Sequence, residues 1–289
     1  MNEFSIDKRM MRRAFSRAAA GYDASAVLQR EVCKRMLERL EYIKLKPARL
    51  LDAGSGTGWG GRQLAERYPD AEIISLDIAI GMLQTAKSRS GWWQKLFGRR
   101  QMAVCADVEA LPLMSNSVEM VWSNLALQWC NDLPSTFVEL HRVLKTEGLV
   151  MFSTFGPDTL KELRQAFKGV DDHNHLNRFA DMHDIGDMLV QAGFSEPVMD
   201  MEYITLTYDD VRGVLQDLKS IGAHNTTGGR GQGLMGKSAF SRLLSNYEKL
   251  RHDGKLPATY EIVYGHAWKP TPRVTPDGAA IIKTSFRVK

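Results

Sequence analysis

A glycine-rich turn after the first apolar strand limits the fold of this chain more than any other feature of the sequence. The turn lies in LDAGSGTGWGG (51–61), where Gly54, Gly56 and Gly58 form a G-x-G-x-G pattern and Gly56, Gly58 and Gly61 form an overlapping G-x-G-x-x-G pattern. Glycines at this spacing let the backbone approach a nucleotide-like ligand where a strand passes into a helix. The segment therefore predicts an α/β fold with a ligand at the carboxyl end of its first strand.

Short apolar runs alternate with helical patterns through the first half of the chain, which predicts a parallel sheet with helices on both faces. A later run, ATYEIVYGHAWK (258–269), has the alternating and aromatic character of an antiparallel strand, and we expect it at the edge of the sheet. The fold class is thus a doubly wound, mostly parallel, seven-stranded, Rossmann-like sheet. The early strands are predicted at 48–54, 71–77, 102–108, 118–124 and 148–155.

Three other segments surround this core. Residues 1–45 have a helical pattern, with one apolar face running through Val27 to Leu40. The main domain is predicted to span 46–270, with a helical insertion at 209–255 on the substrate or partner side. Residues 271–289 begin with several prolines, and we interpret them as an irregular tail or a vector-derived extension.

Composition excludes several classes of protein. With 289 residues, 44% of them hydrophobic, the chain can bury a full core, and its net charge of +4 is too small to indicate a nucleic-acid binder. No apolar run approaches the roughly 20 residues that a membrane helix needs, and the three cysteines form no C-x-x-C. We expect a cytoplasmic protein without a membrane partner. One alternative stays open, because MMRRAFSRAAAGYD (10–23) resembles a mitochondrial transit peptide, although Glu3 and Asp7 are acidic.

Two segments invite interpretations that we do not favour. DDHNH (171–175) contains histidines two residues apart, which point away from each other on a helix, so we expect no metal site. GWWQKLFGRR (91–100) interleaves aromatic and basic residues as some RNA-binding segments do. We expect a surface loop or partner contact there, and no nucleic-acid partner.

Acidic and polar residues at successive strand ends decide between the two glycine patterns. Asp52 precedes the first glycine, where a carboxylate would repel a pyrophosphate but attract a ligand with an ammonium group. S-adenosylmethionine carries an ammonium and a sulfonium and no phosphate. Asp77 ends the second strand and can accept hydrogen bonds from ribose hydroxyls, while Asp107 and Val108 follow the third strand and can meet the adenine amino group and ring. The predicted cofactor-binding residues are Asp52, Gly54, Gly56, Gly58, Asp77, Ile78, Met82, Asp107, Val108, Asn124 and Leu125.

These motifs resemble those of the class I S-adenosylmethionine-dependent methyltransferases. The resemblance is carried by LDAGSGTG, the Asp77 strand end, ADVEALP and HRVLKTEGLVMFSTFG, which together span roughly residues 48–156. A narrower resemblance lies outside this core, in AFSRAAAGYDASAVLQREV, GPDTLKEL, HLNRF (175–179) and LKSIGAHNTTGGR (218–230). Those segments are similar to the malonyl-acyl carrier protein O-methyltransferases of biotin synthesis, from about Arg13 to Trp268.

The resemblance implies methylation of the free carboxylate of a malonyl thioester, with S-adenosylmethionine as cofactor and S-adenosylhomocysteine as product. The thioester would be carried by acyl carrier protein or by coenzyme A. Tyr22 is the candidate that aims the carboxylate, from a segment that similar enzymes fold over the cofactor. Arg178 is the candidate substrate anchor, and His224, Asn225 and Arg230 lie in a glycine-rich stretch that we interpret as a lid.

The partner surface and two alternative functions stay open. Residues 223–255 hold six basic and two acidic side chains, which form either a surface for an acidic carrier protein or an ordinary solvated face. A related assembly factor for respiratory complex I, which modifies a protein arginine, shares the N-terminal and cofactor motifs. The other alternative is a small-molecule methyltransferase with another acceptor. A nicotinamide oxidoreductase is disfavoured by Asp52.

Overall fold

Seven strands form one mixed sheet in the order β3-β2-β1-β4-β5-β7-β6. The computed structural model describes residues 5–89, 101–171, 176–220 and 235–272. The strands are β1 (Arg49–Ala53), β2 (Glu72–Asp77), β3 (Gln101–Cys105), β4 (Val118–Asn124), β5 (Leu144–Phe155), β6 (Ser195–Tyr208) and β7 (Leu256–Trp268).

The first five strands are parallel, as the alternation of strands and helices predicts, and β7 is antiparallel to both β5 and β6. The predicted edge position of the last strand is wrong. β7 lies second from the edge, because its side chains, including Ile262 and Val263, are buried on both faces. β6 forms the edge instead, and its half-exposed apolar side chains Val198 and Tyr203 fit a strand with one partner.

Ten helices and two short 3-10 turns, at Leu40–Tyr42 and Leu127–Trp129, accompany the sheet in the described residues. Residues 7–40, which read as one helical pattern, form three helices separated near Gly21 and Ala26. The helices are α1 (Lys8–Ala18), α2 (Tyr22–Ser25), α3 (Val27–Arg39), α4 (Trp59–Arg67), α5 (Ile80–Arg89), α6 (Leu133–Val143), α7 (Lys161–Phe167), α8 (Met182–Gln191), α9 (Val211–Ser220) and α10 (Lys237–Glu248).

Apolar side chains of successive strand residues enter two separate clusters, one on each face of the sheet. Leu50 of β1 packs in a cluster with Met36 of α3 and Leu64 of α4. Its neighbour Leu51 packs in the other cluster with Phe137 of α6 and Leu189 of α8. Burial on both faces holds the carboxyl ends of β1 to β4 in fixed register, and this edge of the sheet carries the site. Over the described ranges, no helix is long and apolar enough to cross a membrane.

Candidate active site

A cavity lies at the carboxyl ends of β1 to β4, where the predicted cofactor residues converge. Nine of the eleven predicted residues line this cofactor cavity. Asp52 lines a small adjoining cavity that shares part of the same wall. The nine residues are Gly54, Gly56, Asp77, Ile78, Met82, Asp107, Val108, Asn124 and Leu125.

Glycine is needed at each position of the turn for a different structural reason. All three of Gly54, Gly56 and Gly58 have positive φ, a conformation that favours glycine. A Cβ at Gly54 would lie 2.2 Å from Ala126 Cβ, so this glycine permits close packing of two strand ends. A Cβ at Gly56 would meet no atom within 4 Å and would enter open space, as expected beside a ligand. Gly58 is the N-cap residue of α4 and lines neither cavity, because it faces Ala86 of α5.

Asp52 is a buried carboxylate that lacks a compensating charge. Its side chain is 2% exposed, and its Oδ2 atom has no hydrogen-bond partner among the described residues. Burial, together with the nearby charge of Asp77, raises the pKa of Asp52 from 3.8 to about 7, against the opposing effect of a hydrogen bond from the Gly61 backbone. Three more buried polar atoms close by, Gln29 Oε1, Ser55 Oγ and Trp122 Nε1, also lack partners in the described part of the chain. This polar cluster fits a ligand that brings hydrogen-bond donors and a positive charge for the oxygens, and an acceptor for the indole N–H of Trp122.

Asp77 is held by the backbone on both carboxylate oxygens. Oδ2 accepts a hydrogen bond from Gly56 N at 2.9 Å and Oδ1 accepts one from Ala79 N at 2.8 Å. Burial raises the pKa of Asp77 to about 6, against the opposing effect of these two bonds. Each oxygen keeps a second lone pair for a ribose hydroxyl. The predicted role of Asp77 is compatible with this geometry and stays a prediction.

Helix α1 closes over the cavity from above β3. Lys8 Nζ lies 3.2 Å from Asp107 Oδ1 and 3.0 Å from Glu109 Oε2, so the predicted adenine acceptor already has a cationic neighbour. The ring of Phe15 packs edge-on against Trp129, with centroids 5.2 Å apart. Sequence reasoning missed the cavity residues of α1, although Lys8, Met11 and Phe15 recur every three or four positions, the spacing of one helix face.

Asn124 and Leu125 form the rim at the end of β4. Asn124 Nδ2 donates to Gln29 O at 3.0 Å, and Asn124 Oδ1 accepts from Ser153 Oγ at 3.0 Å. Leu125 has φ of 47°, which is unusual for a residue with a branched side chain. Such strain concentrates at ligand-binding sites. Here the Leu125 N–H is held by the backbone and side-chain oxygens of Ser153.

A second, larger cavity of about 920 Å³ adjoins the first. Gln128, Trp129 and Phe155 line both cavities and so mark the junction between them. The larger cavity is mainly apolar, and Arg17 and Lys219 are the charged side chains among its described lining residues. A long and largely uncharged substrate arm fits such a lining.

The four predicted substrate-side residues differ in where the structure places them. Tyr22 lines the cofactor cavity and the small cavity beside it, and burial together with the charge of Asp77 raises the pKa of its hydroxyl. Arg178 is exposed, whereas its neighbours Asn177 and Phe179 line the larger cavity. The Oδ1 atom of Asn177 is buried and has no hydrogen-bond partner among the described residues. His224 and Asn225, like Arg230, lie outside the described residues.

Two other interpretations from the sequence also fall partly or wholly outside the described ranges. Residues 172–175 of the DDHNH segment and residues 91–100 of the aromatic and basic segment are not described. Within the ranges that are described, no group of three or more His, Cys, Asp or Glu side chains is placed to bind a metal ion.

Comparisons with known proteins agree on one family. A family model described as "Methyltransferase domain" matches residues 51–152. A protein of Gallionella capsiferriformans (strain ES-2), named malonyl-[acyl-carrier protein] O-methyltransferase, is 85% identical over 290 residues, which cover 100% of each chain. Because that alignment includes residues 271–289, the tail has a counterpart in a relative, which favours a natural extension over a vector-derived one.

A more distant relative and a solved structure extend the comparison. A protein of the same name from Nitrosospira multiformis is 62% identical, with 93% of this chain and 92% of the relative covered. The crystal structure of the YcgJ protein from Bacillus subtilis matches with a TM-score of 0.58 at 15% identity, covering 82% of this chain and 98% of that one. At this identity the likeness shows the fold alone, and it supports the Rossmann-like architecture.

Proposed function

We propose a function from one premise: this chain belongs to the malonyl-[acyl-carrier protein] O-methyltransferase family. It is a methyltransferase, and S-adenosylmethionine is its cofactor. The proposed reaction transfers a methyl group to the free carboxylate of a malonyl thioester on acyl carrier protein. The products are the malonyl methyl ester and S-adenosylhomocysteine, and we assign the step to biotin synthesis.

The junction of the two cavities is the observation that carries this proposal. Gln128, Trp129 and Phe155 bring a cavity that suits a cationic nucleoside next to a mainly apolar one that suits an acyl arm. A carboxylate at the end of that arm would reach the junction while the arm stays in the apolar cavity. Holding both reactants side by side at this junction would lower the barrier by several kcal/mol through proximity and exclusion of water.

The residues around the junction fit a reaction that needs no general base. A malonyl carboxylate has a pKa of roughly 4 and is ionised at neutral pH. Among the described residues that line the larger cavity, none is Asp, Glu or His. The bound cofactor supplies an electrophilic methyl group on a sulfonium. The protein then has to orient the carboxylate without neutralising it, because a strong cationic partner would weaken its nucleophilic oxygen.

Tyr22 is our candidate for this orienting role. Burial and the nearby Asp77 keep its hydroxyl protonated, so it can donate a hydrogen bond as a neutral group. Gln128 lies at the junction as a second neutral donor, and its Nε2 now donates to Leu125 O at 2.7 Å. We further propose that residues 1–45 act as a lid and that Arg178, His224 and Asn225 act on the substrate side. We also propose that the reaction takes place in the cytoplasm, where three unpaired cysteines are stable.

The two alternatives from the sequence gain no support. The unpartnered oxygen of Asp52 at the start of the glycine turn disfavours the pyrophosphate of a nicotinamide cofactor. Relatives at 85% and 62% identity carry the malonyl methyltransferase name, which favours this reaction over modification of a protein arginine.

The test follows the mass of three thioesters incubated with enzyme and S-adenosylmethionine: malonyl-acyl carrier protein, malonyl-coenzyme A and a succinyl-acyl carrier protein control. The proposal predicts one added methyl group on a malonyl thioester and none on the succinyl control. The preferred carrier follows from the ratio of kcat/KM values. A protein that binds S-adenosylhomocysteine but methylates neither malonyl thioester would contradict the proposal.

A further inference from the structure

We propose that the exposed arginine face of α1, formed by Arg9, Arg12 and Arg13, is the docking surface for the acidic carrier protein that presents the thioester. This inference rests on the proposed function, because it takes the carrier protein as the substrate-bearing partner. It adds the place on the enzyme where that partner sits.

The charge of α1 is concentrated on one side of the helix. Met11 and Ala14 are buried, whereas Arg9, Arg12 and Arg13 are exposed, and the helix contains no acidic residue. Lys8 points the other way and pairs with Asp107 and Glu109. The exposed arginines therefore project from a helix whose opposite side is fixed to the cofactor cavity.

These arginines form no ion pair within the described ranges, and the carboxylate beside them, that of Asp7, caps the helix by accepting from the backbone N–H of Arg9. Neither Arg9, Arg12 nor Arg13 forms an ion pair with a described acidic residue, and Arg17 Nε donates only to a backbone oxygen, that of Arg13. Several like charges along one helix face repel each other, so the face is electrostatically unfavourable by itself. An acidic surface would relieve this repulsion and would be attracted from a distance.

The position of α1 suits a partner that delivers a long arm. Arg17, on the same side of the helix one turn beyond Arg13, lines the large cavity together with Ala14. Lys219 of α9 lines that cavity as well. A carrier protein seated on α1 would therefore stand beside the cavity into which its acyl arm must pass.

The basic patch predicted at 223–255 is a weaker candidate for the same role. Arg251 pairs with Glu248, and Lys255 pairs with Asp209 at 2.5 Å. Arg242 donates to Val170 O at 2.8 Å. Because Arg251 and Lys255 are already paired with carboxylates, the described part of this patch attracts an acidic surface less strongly than the face of α1 does.

The test compares two double charge reversals on two substrates. The docking variant is Arg9→Glu/Arg13→Glu. The matched control is Lys44→Glu/Lys46→Glu, which changes two exposed cations by the same charge just before β1, at the opposite end of the strands from the site. The substrates are malonyl-acyl carrier protein and malonyl-pantetheine, which has no carrier protein.

We expect the docking variant to lose roughly tenfold or more in kcat/KM for malonyl-acyl carrier protein, mainly through KM, with the loss smaller at high salt. Its turnover of malonyl-pantetheine and its affinity for S-adenosylhomocysteine should match those of the wild type. The control variant should match the wild type on both substrates.

Three results would overturn the inference. They are unchanged kinetics of the docking variant on the carrier protein, an equal loss on both substrates, and an equal loss in the control variant. Failure of the proposed function would look different, since the wild-type enzyme would then methylate neither malonyl thioester.

Discussion

Replacing Asp52 by asparagine should stabilise the protein without ligand while weakening its affinity for the cofactor. The reason is that Asp52 is buried and one of its oxygens has no partner in the described part of the chain. An ionised carboxylate in such a place is unfavourable until a positive group arrives. Asparagine has nearly the same shape and cannot carry the charge.

The size of the effect follows from the pKa of Asp52, which rises from 3.8 to about 7 on folding. A rise of roughly three pH units corresponds to about 4 kcal/mol. Between about pH 4 and 7 the folded protein binds more protons than the unfolded chain, so this group lowers the free energy of unfolding as pH rises. The Asp52→Asn variant and the wild type should therefore have similar free energies of unfolding at low pH. At pH 8 the free energy of unfolding of the variant should be higher by up to about 4 kcal/mol.

The assay is thermal unfolding of both proteins from pH 4 to pH 8. A difference of about 4 kcal/mol predicts a melting temperature up to roughly 8 °C higher for Asp52→Asn at pH 8. Asp70→Asn, which changes an exposed carboxylate in the turn before β2, is the matched control and should follow the wild type. Titration calorimetry should show S-adenosylhomocysteine binding to Asp52→Asn roughly 10- to 100-fold more weakly, through loss of a hydrogen bond between charged groups.

Parallel melting curves for Asp52→Asn and the wild type over the whole pH range would refute the reasoning about burial. Unchanged affinity for S-adenosylhomocysteine would refute the assignment of Asp52 to the cationic part of the cofactor. The two measurements are independent, so either part of the argument can fail alone.

The remaining predictions concern the glycine turn and the substrate side. Gly56→Ala should cost only about 1–2 kcal/mol of stability, from its positive φ, but should weaken cofactor binding. Gly54→Ala should instead unfold the site, because its Cβ would lie 2.2 Å from Ala126 Cβ. Melting curves measure the loss of stability and calorimetry measures the loss of cofactor affinity. Tyr22→Phe should lower kcat by roughly 10- to 100-fold with unchanged affinity for S-adenosylhomocysteine, through loss of one hydrogen bond, and an unchanged kcat would remove it from the site. Arg178→Ala should raise KM for the malonyl thioester without changing cofactor affinity, and an unchanged KM would remove Arg178 from the substrate side.

The sequence predicts the parallel core of the fold well, because its signals are local. Each of the runs 48–54, 71–77 and 118–124 contains an observed strand, and the polar residue after each strand necessarily reaches the same edge of a parallel sheet. The position of β7 was not predictable in the same way. An antiparallel pattern shows that a strand has antiparallel neighbours, but the number of neighbours depends on where β6 lies.

The cofactor residues on strand ends were predictable for the same local reason, whereas the contribution of α1 was not. Lys8, Met11 and Phe15 read as the inner face of an amphipathic helix, and nothing in that pattern says which surface the helix covers. Their place against Asp107 and Trp129 depends on contacts across about a hundred residues of sequence. The sequence does not predict the role of Gln128 and Trp129 either, because their place between the two cavities depends on how distant segments pack.

The position of the transferred methyl group on the malonyl unit tests the central claim most directly. A malonyl thioester offers two nucleophiles, a carboxylate oxygen that is already ionised and an α-carbon that must first lose a proton to a base. With S-adenosylmethionine labelled by ¹³C in its methyl group, the NMR spectrum of the product distinguishes a methyl ester from a C-methyl group. A methyl ester is the result predicted for a site that orients an ionised carboxylate with neutral donors, and a C-methyl product, or no labelled thioester at all, would contradict it.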